Sequence, residues 1–198
     1  MYLYGASGHG KVIAEIAEEN NLSIEGFIDS DISKKTVFNY TVYHQVPNNN
    51  IELVVAVGNN LIRQKIVQTN TTFTYLKLIH PQSVVSKSAS IDEGTVVMAG
   101  VVINAEAAIG KHCIINTNAS IDHECHIDNY VHISPNAALA GNVEIGEGTH
   151  IGIGATIIQG IKIGKWCTIG AGAVIIRDVP DFSVVVGNPG RVIKKNIK

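Results

Sequence analysis

From Val85 onward every sixth residue is a bulky aliphatic: Val85, Ile91, Val97, Ile103, Ile109, Ile115, Ile121, Ile127, Ile133, Leu139, Ile145, Ile151, Ile157, Ile163, Ile169 and Ile175. These sixteen consecutive positions keep a period that neither a helix nor a hairpin meander has. Two positions earlier the residue is usually small or β-branched, as at Ala89, Thr95, Val101, Ala107, Cys113, Ala119 and Cys125. A six-residue unit with two inward positions describes a short flat strand followed by a corner. Three such units close one coil, and stacked coils rise about 4.8 Å each, the spacing of hydrogen-bonded strands. Residues 85–175 are therefore expected to form five coils and a little more of a parallel β-helix. The composition agrees, because 29 Ile and 22 Val stand against 7 Leu, and β-branched side chains suit pleated surfaces better than helices. Gly110, Gly146, Gly164 and Gly170, each directly after an aliphatic, are expected to be corner residues with unusual backbone angles. Handedness does not follow from the period, and the usual crossover preference alone favours a right-handed coil.

Residues 1–80 follow a different rule. MYLYG reads as a strand, GASGHG as a turn, and KVIAEIAEEN as a helix with Val12, Ile13, Ile16 and Ala17 inward and Glu15, Glu18 and Glu19 outward. SIEGFID reads as a second strand, ELVVAVGNN and LIRQKIVQT as a further strand and helix, and the asparagines at 48–50 as a loop. The sum is a small α/β, Rossmann-like domain with a parallel sheet over residues 1–80. The β-helix domain, ending in a basic tail, takes residues 81–198.

Charge and cysteine usage narrow the function classes. A formal net charge of −2 argues against nucleic acid as a partner, since a duplex binder carries a basic excess. No apolar run approaches the roughly 20 residues of a membrane span, and the start MYLYGASGHGK lacks the basic and apolar regions of a secretory signal. The expected localisation is therefore cytoplasmic, with no membrane partner. Cys113, Cys125 and Cys167 all occupy the small inward position and read as buried, reduced thiols. Cys113 and Cys167 stand three coils apart, roughly 14 Å by the strand spacing, too far for a disulfide.

Stacking turns an offset of three units into spatial contact. On this basis His132 lies beside His150, and Gly141 passes about 5 Å from His123. A histidine beside a glycine N–H supplies a base and an oxyanion donor in one place. His123, His126, His132 and His150 also invite a metal reading, since three imidazoles bind zinc. A rigid binding or ice-adhering surface would repeat one outward residue type at each coil, whereas the columns here are mixed. In the N-terminal domain, the strand, Gly5-Ala6-Ser7-Gly8-His9-Gly10 and the following helix leave free N–H groups where a phosphate can sit. Asp29 ends the second strand, where an acidic side chain often binds a ribose hydroxyl. The spacing is not the standard dinucleotide fingerprint, and nothing else suggests redox chemistry.

The aliphatic period resembles that of the hexapeptide-repeat acyltransferases, whose prism is a left-handed β-helix. The segment Ile121-Asp122-His123-Glu124-Cys125 resembles the His-Glu segment of the sugar acetyltransferases in which an N-terminal α/β domain precedes the prism. Tyr4–Lys11, Val57–Arg63, Asn116-Thr117, Val131–Ile133, Ala140–Asn142 and Val186–Ile193 resemble the same group. That family includes N-acetyltransferases of UDP-4-amino-4,6-dideoxy sugars, as in bacillosamine biosynthesis, and sialic acid O-acetyltransferases. The resemblance implies an acetyl-CoA-dependent N-acetyltransferase for a nucleotide-linked, UDP-type amino sugar, with O-acetylation of sialic acid or another sugar as the alternative. It makes His123 the general base and Glu124 its carboxylate neighbour. Neighbouring strand residues face opposite ways, so that pair can meet only at a corner or indirectly. By the same resemblance His132, Gly141, Ile153 and Ala171 bind acetyl-CoA, with the Gly141 N–H on the thioester oxygen. Ser7, Gly8, His9, Asp29, Ser30, Gly58 and Asn116 hold the nucleotide sugar. It further implies a homotrimer with acetyl-CoA as co-substrate between prisms, and no metal. Carbonic anhydrases of hexapeptide type have two histidines five residues apart, a separation absent from this cluster.

Overall fold

The computed structural model describes residues 1–47 and 50–195. Of the loop expected at 48–50, Asn48 and Asn49 lie outside the described residues. The N-terminal unit contains β1 (Tyr2–Tyr4), α1 (Gly8–Glu19), β2 (Gly26–Ile28), β3 (Thr36–Val37), β4 (Tyr40–Tyr43), β5 (Glu52–Val55), α2 (Asn60–Thr69) and β6 (Thr74–Tyr75). Its sheet runs β3-β4-β2-β1-β5-β6, parallel throughout except for the β3–β4 hairpin. That hairpin was not anticipated, because its strands are short and carry little apolar alternation. Helix α1 buries Ile13, Ala14, Ile16 and Ala17, while Val12 is exposed. Val12 was expected inward. The buried stripe instead repeats through Gly10, Ile13, Ala14 and Ala17, a helical period that leaves position 12 on the outer flank.

The second body is a three-sided prism of two-residue strands, all parallel and in a register of one coil. The first face stacks Leu78–Ile79, Val96–Val97, Ile114–Ile115, His132–Ile133, His150–Ile151 and Thr168–Ile169. The second face begins at Val84–Val85 and ends at Val174–Ile175, and the third runs from Ser90–Ile91 to Lys162–Ile163. Coiling thus starts one unit before Val85, and Ile79 already keeps the period. The six-residue aliphatics and the small residues two positions earlier form one continuous core, from Ile91 to Val185. Each such aliphatic stabilises the fold by about 1.5–3 kcal/mol when fully buried. All three cysteines are free and buried in it. A hairpin of Ser183–Val186 and Arg191–Lys195 closes the far end.

The corners correct one expectation. The left-handed backbone sits three residues after each aliphatic from Ile91 to Ile169, at Gly94, Gly100, Glu106, His112, Asn118, Glu124, Tyr130, Asn136, Asn142, Gly148, Gly154, Gly160, Trp166 and Gly172. Gly110, Gly146, Gly164 and Gly170 are not among the positive-φ residues. Their lack of a side chain serves close approach: a Cβ on Gly110 would stand 2.6 Å from Asn129 Oδ1, and one on Gly146 2.7 Å from the Gly164 carbonyl carbon.

The outward column of the first face explains how the two bodies join. Leu78, Val96 and Ile114 point out of the prism into the core beneath α1, with Met1, Ile13 and Ala17. The next steps of that column are His132 and His150. The column turns polar past the end of this shared core.

Candidate active site

His123 and Glu124 lie on the turn between the second and third faces. Glu124 takes the left-handed conformation, φ 58°, which breaks the strand alternation and lets both side chains project together. His123 Nδ1 and Glu124 Oε2 are 3.0 Å apart. A carboxylate accepts, so Nδ1 carries the proton and Nε2 keeps its lone pair. Below them, Asp122 accepts from the His123 N–H at 2.8 Å and from Asn104 Nδ2 at 2.8 Å, which fixes the turn. Hydrogen bonds to Asn104 and to the His123 amide hold the Asp122 carboxyl below the usual range.

Gly141 sits one coil on, as its offset requires. The His123 carbonyl accepts from the Asn142 N–H at 2.8 Å. A Cβ on Gly141 would lie 2.5 Å from both Cε1 and Nε2 of His123. The imidazole therefore rests over a glycine whose own N–H donates no hydrogen bond among the described residues. A base edge and a free donor stand side by side, with the histidine and glutamate about half exposed (side chains 56% and 59%).

His132 and Asn116 do not join that corner. They lie on and just past the first face, with His9 and Gly58 in the crevice between the prism and the N-terminal unit. Asn116 Oδ1 accepts from the Thr117 N–H at 2.8 Å, so its Nδ2 donates to His132 Nε2 at 3.1 Å. His132 thus carries its proton on Nδ1, on the side of the Gly58 backbone, whose contact opposes the fall of its pKa, and His9 Nε2 has no partner. His132 stacks on His150 with centroids 4.8 Å apart, and Ser134 meets His150 Nε2 at 2.8 Å. Burial first, then His150, Arg63 and His9, push the His132 pKa down to about 3. Burial and then Arg63 bring His9 to about 4. Both imidazoles are neutral at physiological pH.

Ile153 and Ala171 stack one above the other on the turn between the first and second faces, and both are exposed. Ser7 and Gly8 are exposed at the start of α1, where Ser7 is the N-cap without a side-chain capping bond and no acidic residue fills the first turn. Asp29 faces inward: it accepts from the Ala6 N–H at 2.8 Å, the Asp31 N–H at 2.9 Å and Lys34 Nζ at 2.7 Å. Against the opposing effect of burial, these bonds hold its carboxyl below the ordinary value. Asp29 is thereby a clamp on the glycine-rich turn, and Ser30 beside it is exposed.

One residue of the region had no role in the sequence reading. Arg63, within the segment Val57–Arg63, is 1% exposed and donates to carbonyls of both bodies. The available signal was a polar pair, Asn60 and Arg63, one helical turn apart on α2. Among the described residues no group of three or more His, Cys, Asp or Glu could hold a metal ion, and no helix is long and apolar enough to cross a membrane.

Residues 1–69 match the family described as PglD N-terminal domain, and residues 142–177 the bacterial transferase hexapeptide (six repeats). A curated relative, UDP-N-acetylbacillosamine N-acetyltransferase of Bacillus subtilis, is 41% identical over 108 residues. That match spans 49% of this chain and only 50% of the relative's length. A crystal structure of a mutant perosamine N-acetyltransferase from Caulobacter crescentus, in complex with CoA and GDP-perosamine, superposes with a TM-score of 0.93. It is 34% identical, over 98% of this chain and 96% of that one. The acetyltransferase domain of PglB from Neisseria gonorrhoeae, in complex with acetyl coenzyme A, is 40% identical with a TM-score of 0.89, over 97% and 98% of the two chains. The prism is the left-handed β-helix of these proteins, an exception to the crossover rule. With an α/β unit of one family, a hexapeptide prism of the other, and full-length likeness to N-acetyltransferase structures, the chain belongs to the hexapeptide-repeat sugar acetyltransferases with an N-terminal nucleotide-sugar-binding domain.

Proposed function

We propose that this protein transfers the acetyl group of acetyl-CoA to the 4-amino group of a UDP-linked 4-amino-4,6-dideoxy sugar, with His123 as general base. The observation that carries the reading is the His123–Gly141 pair, an oriented imidazole lone pair beside an unpaired N–H. The neutral amine attacks the thioester carbonyl as Nε2 of His123 takes its proton. Glu124 balances the imidazolium through Nδ1–H. The Gly141 N–H donates to the developing oxyanion. Collapse of the tetrahedral intermediate breaks the C–S bond, and the CoA thiolate leaves and takes up a proton. No covalent enzyme intermediate is needed.

The N-terminal unit supplies the sugar nucleotide site. The open start of α1 at Ser7, Gly8 and His9 offers free N–H groups and the positive end of the helix dipole to the diphosphate. Asp29 holds that turn, Ser30 flanks the uridine end, and Gly58 and Asn116 line the sugar end. His132, Ile153 and Ala171 belong to the acetyl-CoA path. Because His123 and His132 stand on different parts of one prism, a homotrimer that sets one chain's corner against another's first face completes the site. The reaction belongs in the cytoplasm, where acetyl-CoA and nucleotide sugars are available.

The test is CoA thiol release from acetyl-CoA with a UDP-4-amino-4,6-dideoxy sugar, a GDP-4-amino sugar and free sialic acid, beside the His123→Ala variant. Turnover on the UDP sugar that is lost in the variant is expected. Turnover only on the GDP sugar would replace the nucleotide, and turnover only on sialic acid would replace N- by O-acetylation.

A further inference from the structure

Helix α2 meets the prism through a stack of corner carbonyls. His112, Tyr130 and Gly148 follow one another at successive coils of one column, all with left-handed backbone, φ 55°, 59° and 67°. Arg63 Nε donates to the His112 carbonyl at 2.8 Å, and Nη2 to the Tyr130 carbonyl at 2.8 Å. Asn60 Nδ2 donates to the Gly148 carbonyl at 3.0 Å. Two side chains one helical turn apart thus take three consecutive coils. The match is metric: three residues of α-helix rise about 4.5 Å, close to the strand spacing of about 4.8 Å.

The remaining donors of Arg63 turn the other way. Nη1 donates to the Val57 carbonyl at 2.9 Å and to that of Gly58 at 3.4 Å, and Nη2 also to Asn60 Oδ1 at 2.9 Å. All five N–H groups of the guanidinium are used. Among the described residues it has no carboxylate partner. A buried cation held by neutral carbonyls alone is costly unless its geometry is complete. What it joins is specific: the loop at Val57–Gly58 on one side, and on the other the corners that lead into Ile114 and His132, while Asn60 takes the next corner, which leads into His150.

We propose that Asn60 and Arg63 are positioning residues that set the coil register between the two bodies, and thereby hold the Val57–Gly58 wall of the nucleotide-sugar site over His132. The substrate of that wall rests on the function proposed above, whereas the register does not. Lysine concentrates its donors at one point and cannot span two carbonyls and the loop as a planar fork does. Asn60→Asp still accepts from Arg63, now as a carboxylate, but loses the donor to Gly148 and sets an acceptor against that carbonyl, so it loosens the register without removing the acceptor on the buried cation.

The experiment uses the full chain in two arms, with Arg63→Lys and Asn60→Asp beside wild type. Amide hydrogen exchange is expected to quicken about tenfold at residues 57–62, with the interior strands of the prism unchanged. The KM for the UDP-4-amino-4,6-dideoxy sugar is expected to rise about tenfold, with the KM for acetyl-CoA within about twofold of wild type. Unchanged exchange at 57–62 in both variants would overturn the register. A uniform fall of kcat together with the melting temperature, with no split between the two KM values, would reduce the pair to a structural role. A wild-type chain without turnover on any nucleotide amino sugar would refute the proposed function, and the exchange arm would still decide the register.

Discussion

A single methyl group on Gly141 would stand 2.5 Å from the His123 ring edge, and Gly141 is not among the residues with positive φ. The backbone therefore tolerates alanine while the imidazole does not, and an exposed ring can swing away. Gly141→Ala is expected to lower kcat by about a hundredfold with the melting temperature nearly unchanged, as steady-state kinetics and calorimetry would show. His123→Ala removes the base itself and should cost about 10²–10⁴ in kcat, again without loss of stability because the side chain is more than half exposed. A variant that keeps turnover near wild type would remove His123 from the mechanism. Glu124 illustrates why the role of a residue can hinge on backbone conformation. Only the left-handed corner turns a neighbour that a strand would point away into a 3.0 Å partner.

Among the elements, the two with open or buried polar ends respond to substitution in opposite directions. At the start of α1, a Cβ on Gly8 would meet nothing within 4 Å, and no acidic residue lies in the first turn. Gly8→Asp should stabilise the helix by about 0.5–1 kcal/mol through propensity and the dipole. The same carboxylate would compete with a diphosphate for the N–H groups, so nucleotide-sugar affinity should fall about tenfold by titration calorimetry. Tm and affinity moving together would exclude the helix start as the anion site. The corner stack behaves differently under acid. Burial brings His112 down to about 4, with Glu93 opposing and Arg63 and Lys111 adding to the fall, and its ring lies between Tyr75 and Tyr130. A folded pKa below the unfolded value near 6.5 means the unfolded chain binds protons first as pH falls. The stability from a neutral His112 is thus full above about pH 6.5 and is lost progressively toward pH 4. His9 and His132 act in the same direction. Melting temperature should therefore drop across this window, and His112→Asn, which tolerates the left-handed corner, should flatten the slope. An unchanged slope would assign the acid sensitivity to His9, His132 and His150, all of which burial pushes down.

On the scale of the whole molecule, one chain separates what the proposed reaction needs together. His123 and Gly141 occupy one turn of the prism, His132 the first face, and Ile153 and Ala171 another turn. If neighbouring chains complete the site, His123→Ala and His132→Ala subunits mixed under exchange should regain activity that neither homo-oligomer has, and light scattering should give a trimer. Failure of such mixtures to recover would argue for a site within one chain. The division between what was legible and what was not follows from the range of each interaction. The prism, its period and the contact of His123 with Gly141 were readable because every coil repeats its neighbour, so sequence offset is spatial distance. That β1, β2 and β5 are strands of a parallel sheet was readable from apolar runs, but their order in it and the β3–β4 hairpin were not. Where the left-handed corners fall was missed, because glycine marks close approach between coils as well as positive φ. The docking of α2 was decided by tertiary structure alone. Arg63 bonds to His112 and Tyr130 across 49 and 67 residues, and backbone carbonyls leave no trace in a sequence that says which side chain will find them.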